Sequence, residues 1–184
     1  MIREHVESAY TRLFEKYGLG TTVWSPLGGG MLTGKYNDGN IPEGSRFDVS
    51  EMFKDFSWNK YIGGDKREKT IALLNGLKET AEELGVTQAE LALAWIIVNK
   101  DVSSCIIGAS KLSQIERNLK AVELATKWTF ELEEKLGGIL ANQPPSVISM
   151  LTFQPYPARR PKRIKYDMEL GKVEMKDSEI GQYE

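Results

Sequence analysis

Val102-Ser103-Ser104-Cys105-Ile106-Ile107-Gly108-Ala109-Ser110 reads as a strand, a turn and the approach to a helix. Val102 to Ile107 shows no periodic polar face, which predicts a strand buried on both sides. Leu112, Ile115, Leu119 and Val122 follow at spacings of 3, 4 and 3, so an amphipathic helix begins near Lys111. Upstream, Thr87-Gln88-Ala89-Glu90 is a capping-box sequence. It opens a helix with Leu91, Ala94, Trp95 and Val98 on one face. A further helix is predicted over 66–84, carrying Leu73, Leu74, Leu77, Ala81 and Leu84 and capped by Gly85. Downstream, Leu132, Leu136 and Ile139 mark a last helix over 128–140.

Further towards the N-terminus lies a second strand, Thr21-Thr22-Val23-Trp24, built of strand-favouring residues. Ser25-Pro26 ends it, because proline cannot donate to a ladder. A helix on Val6, Tyr10, Leu13, Phe14 and Tyr17 precedes it, with Gly18 at the left-handed cap position. Strands alternating with helices predict parallel pairing and an α/β class. Two strands do not make a stable sheet by themselves. The chain is therefore expected either to pair with another or to be a piece of a larger domain.

Between the first strand and the 66–84 helix, Leu27 to Tyr36 is glycine-rich. Residues 37–64 are irregular, with turn signals at Asn37-Asp38-Gly39-Asn40 and Pro42-Glu43-Gly44. Met52, Phe53 and Phe56 suggest one short helix there. A stretch this long without strong elements is often functional.

Composition narrows the function. The chain has 184 residues, about one domain's worth. Its 24 Lys+Arg against 26 Asp+Glu leave −2 at neutral pH, which argues against a nucleic-acid or anionic-membrane binder. One Cys and one His leave no disulfide framework and no zinc site of the usual kind. No apolar run approaches the ~18 residues of a membrane span, and no signal peptide opens the chain. A cytoplasmic protein without membrane insertion is expected. The stretch 143–184 holds Pro144, Pro145, Pro155, Pro157 and Pro161 and the run Arg159-Arg160-Pro161-Lys162-Arg163-Ile164-Lys165. It is read as a poorly ordered extension beyond a 1–142 domain.

Gly29 to Lys35 matches the G-x-x-x-x-G-K spacing of a phosphate loop. Tyr36 stands where Ser or Thr should meet magnesium, and a turn follows where a helix is required. Neither glycine cluster is a proper G-x-G-x-x-G, so a doubly wound dinucleotide fold is unsupported. Gly108-Ala109-Ser110 before a helix is a better anion site, although the Ser110 hydroxyl has to choose between capping and binding. In an eight-stranded (β/α) barrel, the loops after the last two strands often form the phosphate site. Here Trp24-Ser25-Pro26-Leu27 follows one strand and Gly108-Ala109-Ser110 the next, with Lys35 and Arg46 as cations between them. The remaining candidates have plain readings: Cys105 as an inert core thiol, Trp95 and Trp128 as helix core, Glu131, Glu133 and Glu134 as a solvated helix start.

Trp24-Ser25-Pro26-Leu27, Gly34-Lys35-Tyr36, Ile41-Pro42, Ser45-Arg46 and Gly108-Ala109-Ser110 with Gln114 and Asn118 together resemble the aldo-keto reductase family. The branch they resemble is that of the voltage-gated potassium channel β subunits. Tyr17-Gly18-Leu19-Gly20, Leu91-Ala92-Leu93-Ala94-Trp95 and Val102-Ser103-Ser104 extend the likeness over about residues 3–142. The resemblance implies the C-terminal portion of a (β/α)8 barrel: its last two βα units and the closing helix. It implies NADP(H) as cofactor. Trp24, Ser25, Pro26 and Leu27 would line the pyrophosphate and ribose path. Lys35, Arg46, Gly108 and Ser110 would serve the phosphates, and Gln114 and Asn118 the adenosine end. Two positions depart from the family: Arg117 replaces a Glu beside the adenine, and Gly44 replaces an aromatic residue. The family's catalytic Asp, Tyr, Lys and His belong to the first half of its barrel. The chain by itself is therefore expected to be inactive, with His5 no part of that tetrad. The implied partners are a small carbonyl substrate in the complete protein, the cytoplasmic domain of a potassium channel, and further copies of the chain. The alternatives to a reductase portion are a regulatory channel β subunit and a non-functional truncated product.

Overall fold

A computed structural model of the chain describes residues 3–144. The 143–184 extension lies outside the described residues apart from its first two. Strand β1 (Thr21–Trp24) and strand β2 (Val102–Ile106) pair in parallel, with Thr21 opposite Val102 and Trp24 opposite Ile106. The Thr21 N–H and hydroxyl both donate to the Asp101 carbonyl at 2.8 Å, which clamps the start of the pair. The predicted α/β arrangement and parallel pairing hold.

The helices follow local signals closely. A π-turn over His5–Ala9 leads into α1 (Thr11–Tyr17), which ends at Gly18 with φ of 64°. In the irregular stretch a short helix α2 (Arg46–Val49) precedes the expected short helix, which runs unbroken over residues 51–61 as α3 (Glu51–Phe53), a π-helical turn over Lys54–Trp58 and α4 (Asn59–Tyr61). Then come α5 (Arg67–Glu83) and α6 (Gln88–Ile97). Thr87 and Glu90 close the capping box from both sides, at 3.2 and 2.7 Å. After β2 the chain forms α7 (Leu112–Leu119), α8 (Ala121–Thr126) and α9 (Phe130–Leu140), the last capped by the Thr129 side chain.

Helix α6 is the centre of the molecule. Leu91 to Ile96 are all buried, so the helix is covered on every side by its neighbours rather than on one face as expected. A helix that is apolar all round belongs inside. Leu74, Leu77 and Ala81 of α5 and Leu136 and Leu140 of α9 complete this core. The irregular stretch adds its own part. Tyr36, Phe47 and Trp58 form a triad with ring centroids 4.8, 5.6 and 5.8 Å apart. Tyr36, Phe47 and Ile62 are fully buried.

Three expectations are corrected. First, β2 ends at Ile106 and is not buried on both sides: Ser103, Ser104 and Ile106 are exposed. The sheet has two strands among the described residues, so β2 has a paired edge and an open one. Second, the 3-4-3 stripe is divided between α7 and α8 at Lys120, and Leu112, Ile115, Leu119 and Val122 all lie on the surface. Amphipathic spacing fixes a helix face but supplies nothing to cover it. Third, of the face predicted on the first helix only Phe14 is buried, with Tyr10, Leu13 and Tyr17 exposed.

Candidate functional site

The parallel pairing sets the loop after β1 beside the loop after β2, at the carboxyl ends of the strands. That is where open and closed α/β sheets bind ligands. Trp24, last residue of β1, is 70% exposed. Ser25 follows with φ of 50°, in the left-handed region that costs a non-glycine residue of order 1 kcal/mol. Such an outlier directs attention to the segment. Pro26 and Leu27 are half-buried, and Leu27 packs against both hydrophobic clusters, which anchors the loop.

A kinked pair of 3-10 turns over Gly28–Thr33, with φ of 69° at Gly29 and 103° at Gly30, comes next. Three of its amides are spent internally: Gly28 N–H donates to the Ser25 carbonyl at 2.9 Å, and Gly30 and Leu32 to the Leu27 carbonyl at 3.0 and 3.2 Å. Those three N–H groups are not offered to a phosphate. The turn instead gives room to cations. A Cβ on Gly30 would stand 3.0 Å from Lys35 Cε and 3.2 Å from its Nζ, and one on Gly29 would stand 3.8 Å from Arg46 Cδ. Lys35 and Arg46 thus flank the same glycine pair. Both are exposed, Lys35 Nζ 5.1 Å over the Tyr36 ring and the Arg46 guanidinium 4.4 Å over the Phe53 ring. Cation–π contacts hold the charged heads at the surface without neutralising them.

The other half of the site is Gly108-Ala109-Ser110 at the start of α7. The cap position is Lys111, so Ser110 is not the side-chain cap. Its N–H donates to Gln114 Oε1 at 2.9 Å and its hydroxyl to the same oxygen at 3.3 Å. The choice posed for the Ser110 hydroxyl is thereby resolved in an unexpected way. A neutral amide oxygen from one helical turn later holds the two donors that an anion would take. Gln114 is exposed and able to swing away, whereas Asn118 is buried.

The ten predicted residues therefore form two groups, Trp24 to Leu27 with Lys35 and Arg46, and Gly108 with Ser110, Gln114 and Asn118, on neighbouring loops. Local sequence did not reveal Asn37 and Gln88, both buried beside Lys35. Their pairing across 51 residues leaves no local signal. Glu133, read as solvated, instead accepts from Arg3 and from Trp128 Nε1, each at 3.2 Å. Trp128 precedes α9 rather than lying within it. Burial pushes the Cys105 thiol up from its ordinary value, which disfavours the reactive thiolate.

A depression of about 470 Å³ lies at the opposite ends of the strands, lined by Thr11, Trp95, Asn99, Asp101, Trp128 and Glu133. It sits at the amino ends, where stability rather than ligand binding resides in parallel α/β folds. No helix among the described residues is long and apolar enough to cross a membrane.

Residues 1–134 match the model of the Aldo/keto reductase family. The chain is 44% identical over 142 residues to a rice (Oryza sativa subsp. japonica) protein named "Probable voltage-gated potassium channel subunit beta". It is 42% identical over 142 residues to the protein of the same name in Arabidopsis thaliana. The matches cover 77% of this chain and 42% of each relative, so the chain spans about two fifths of the length of these curated relatives.

Proposed function

Since the chain belongs to the aldo/keto reductase family, we propose that it is the NADP(H)-binding C-terminal portion of a reductase of that family. In this reading β1 and β2 with their helices are the last two βα units of a (β/α)8 barrel, and α9 closes it. The parallel pair and its open outer edges support that placement. The observation that carries the reading is the pair of cations on one glycine turn, beside the strand end that pairs with Ile106.

The residues present suit a phosphorylated dinucleotide. Lys35 and Arg46 offer charge-assisted hydrogen bonds, the stronger kind, to phosphate oxygens. Ser110 offers an N–H and a hydroxyl once Gln114 releases them, and the freed Gln114 amide can then meet the adenosine end with Asn118. Trp24 to Leu27 would line the path between them. Bound, the cofactor supplies hydride for a small carbonyl substrate. The family's Asp, Tyr, Lys and His have no counterparts assigned in this chain, and proton delivery needs them. The chain alone is therefore expected to bind cofactor weakly and to turn nothing over. The names of its relatives favour a second reading, a regulatory subunit docked on the cytoplasmic domain of a potassium channel, in the cytoplasm and as a homo-oligomer.

Titration of NADPH and of NADH into the 184-residue chain, followed by amide shifts, tests the cofactor reading. Weak binding is expected, with Lys35, Arg46 and Ser110 shifting. Arg46→Ala should weaken NADPH more than NADH if Arg46 meets the 2′-phosphate. Equal loss moves it to the pyrophosphate, and no loss for either removes it from the site.

A further inference from the structure

We infer that Asn37 and Gln88 form an amide latch whose purpose is to position Lys35, and that they are positioning residues for the cofactor site. The inference rests on the cofactor reading above. Lys35 is an exposed side chain on an irregular segment, where a free loop would let the charge wander. Its immediate neighbours do not wander. On one side is Gly34, with φ of 91°, a conformation in which a side chain would be strained. A Cβ there would also press on Gln88 Oε1 at 3.3 Å, so Gln88 lies directly against the Gly34 backbone. On the other side Tyr36 is fully buried between Phe47 and Trp58.

Asn37 then reaches inward. Its Nδ2 donates to the Leu74 carbonyl in α5 at 3.1 Å and to Gln88 Oε1 at the start of α6 at 2.9 Å. Three elements meet at one amide: the Lys35 segment, α5 and α6. The Gln88 side chain thus touches the chain both before and after Lys35. Further along, Arg67 Nη2 donates to the Gly39 carbonyl at 2.6 Å and secures the exit of the turn.

The energetics favour a positioning role over a purely stabilising one. Asn37 and Gln88 are more than nine-tenths buried, yet Asn37 Oδ1 and Gln88 Nε2 have no hydrogen-bond partner among the described residues. A buried amide with half its capacity unmet is poorer for stability than an apolar side chain of similar shape. What the pair supplies is directional. Two hydrogen bonds of fixed geometry accept one register of the Lys35 segment against the two helices, while an apolar contact accepts several. A backbone held in one register fixes where the Lys35 side chain sets out toward a phosphate, which a merely solvated loop does not need.

The test uses the full 184-residue chain, with amide exchange as one readout and NADPH as the probe for the other. Gln88→Leu removes the acceptor, and Gln88→Glu keeps a carboxylate oxygen able to accept from Asn37 Nδ2. Without cofactor, Gln88→Leu should speed exchange at Tyr36, Asn37 and Gly39 by about tenfold or more while Leu91 to Trp95 stay within about twofold, and Gln88→Glu should restore the slow rates. Asn37→Ser, which cuts the same bonds from the other side, should give the same pattern, and it stands in for Gln88→Leu should that variant not fold. With NADPH, Gln88→Leu should weaken binding about threefold to tenfold when Lys35 is present and less than about twofold in a Lys35→Ala background. Unchanged exchange in both latch variants overturns the inference. So does equal weakening of NADPH with and without Lys35. Lys35→Ala with undiminished NADPH binding overturns the cofactor reading itself and the purpose assigned to the latch with it. The two failures are told apart by that variant alone.

Discussion

The two sides of this molecule are built on different terms. On one, the turn from Met31 to Ile62 closes over α5 and α6, and Tyr36, Phe47 and Ile62 lose all contact with solvent. On the other, β1 and β2 present open edges, Trp24 and Ile106 face outward, and the stripe Leu112, Ile115, Leu119 and Val122 runs uncovered along α7 and α8. Residues 31–62, which no regular apolar period marks, pack tightly against α5 and α6, while the stripe with a clean 3-4-3 period lies open. Packing, not regularity, decides which part of the chain holds itself together. The open side carries the apolar surface that the rest of a barrel would cover in the proposed reading.

The sharpest way to break this contrast is a pair of aromatic truncations. Phe47→Ala should cost about 3–5 kcal/mol, read from urea unfolding followed by circular dichroism. Trp24→Ala, an aromatic loss from the open edge, should stay within about 0.5 kcal/mol in the same measurement. Similar costs for the two would mean that the edge is covered in solution. A smaller effect sharpens the open side. Leu119→Glu should leave the unfolding midpoint nearly unchanged, within about 0.5 kcal/mol, and should lower self-association in sedimentation. A loss of stability above about 2 kcal/mol would show that the stripe is packed.

The smallest effect concerns the rim of the closed side. Asp38 accepts from the Asn40 N–H at 2.9 Å and from its side-chain amide at 3.1 Å. These bonds, the backbone one foremost, with a weaker pull from Arg67, hold the Asp38 carboxyl below its ordinary value of 3.8. A depressed carboxylate favours the fold above its unfolded value and ceases to do so as pH falls through the folded one. Wild type should therefore lose a small advantage over Asp38→Asn between about pH 5 and pH 3, measured as the difference in urea midpoints. A constant difference across that range would remove the Asp38 turn from the account.

Much of the fold is legible locally. Thr21 to Trp24 stops at Pro26 because the ring removes a ladder donor, and the first helix stops at Gly18 because only glycine takes its φ cheaply. Thr87 and Glu90 announce α6 by reciprocal hydrogen bonds that need four residues and nothing else. Parallel pairing follows from strands separated by helices. The candidate site is legible to the same depth. Ser25-Pro26 and Gly108-Ala109-Ser110 mark strand ends, and the resemblance names the cations between them.

Tertiary structure decided what those signals meet. Phe47 and Trp58 lie at no regular spacing, so no period marks them as core, and they become core by folding against Tyr36. The stripe on α7 and α8 has a strong period and still lies in solvent, since burial requires a partner surface that periodicity does not provide. The donors of Ser110 belong to Gln114, and Asn37 finds Gln88 across 51 residues. Local sequence determines backbone choices because they are settled within a few residues by sterics and hydrogen bonding. Which side chains touch depends on where distant segments come to rest, and only the assembled chain settles that.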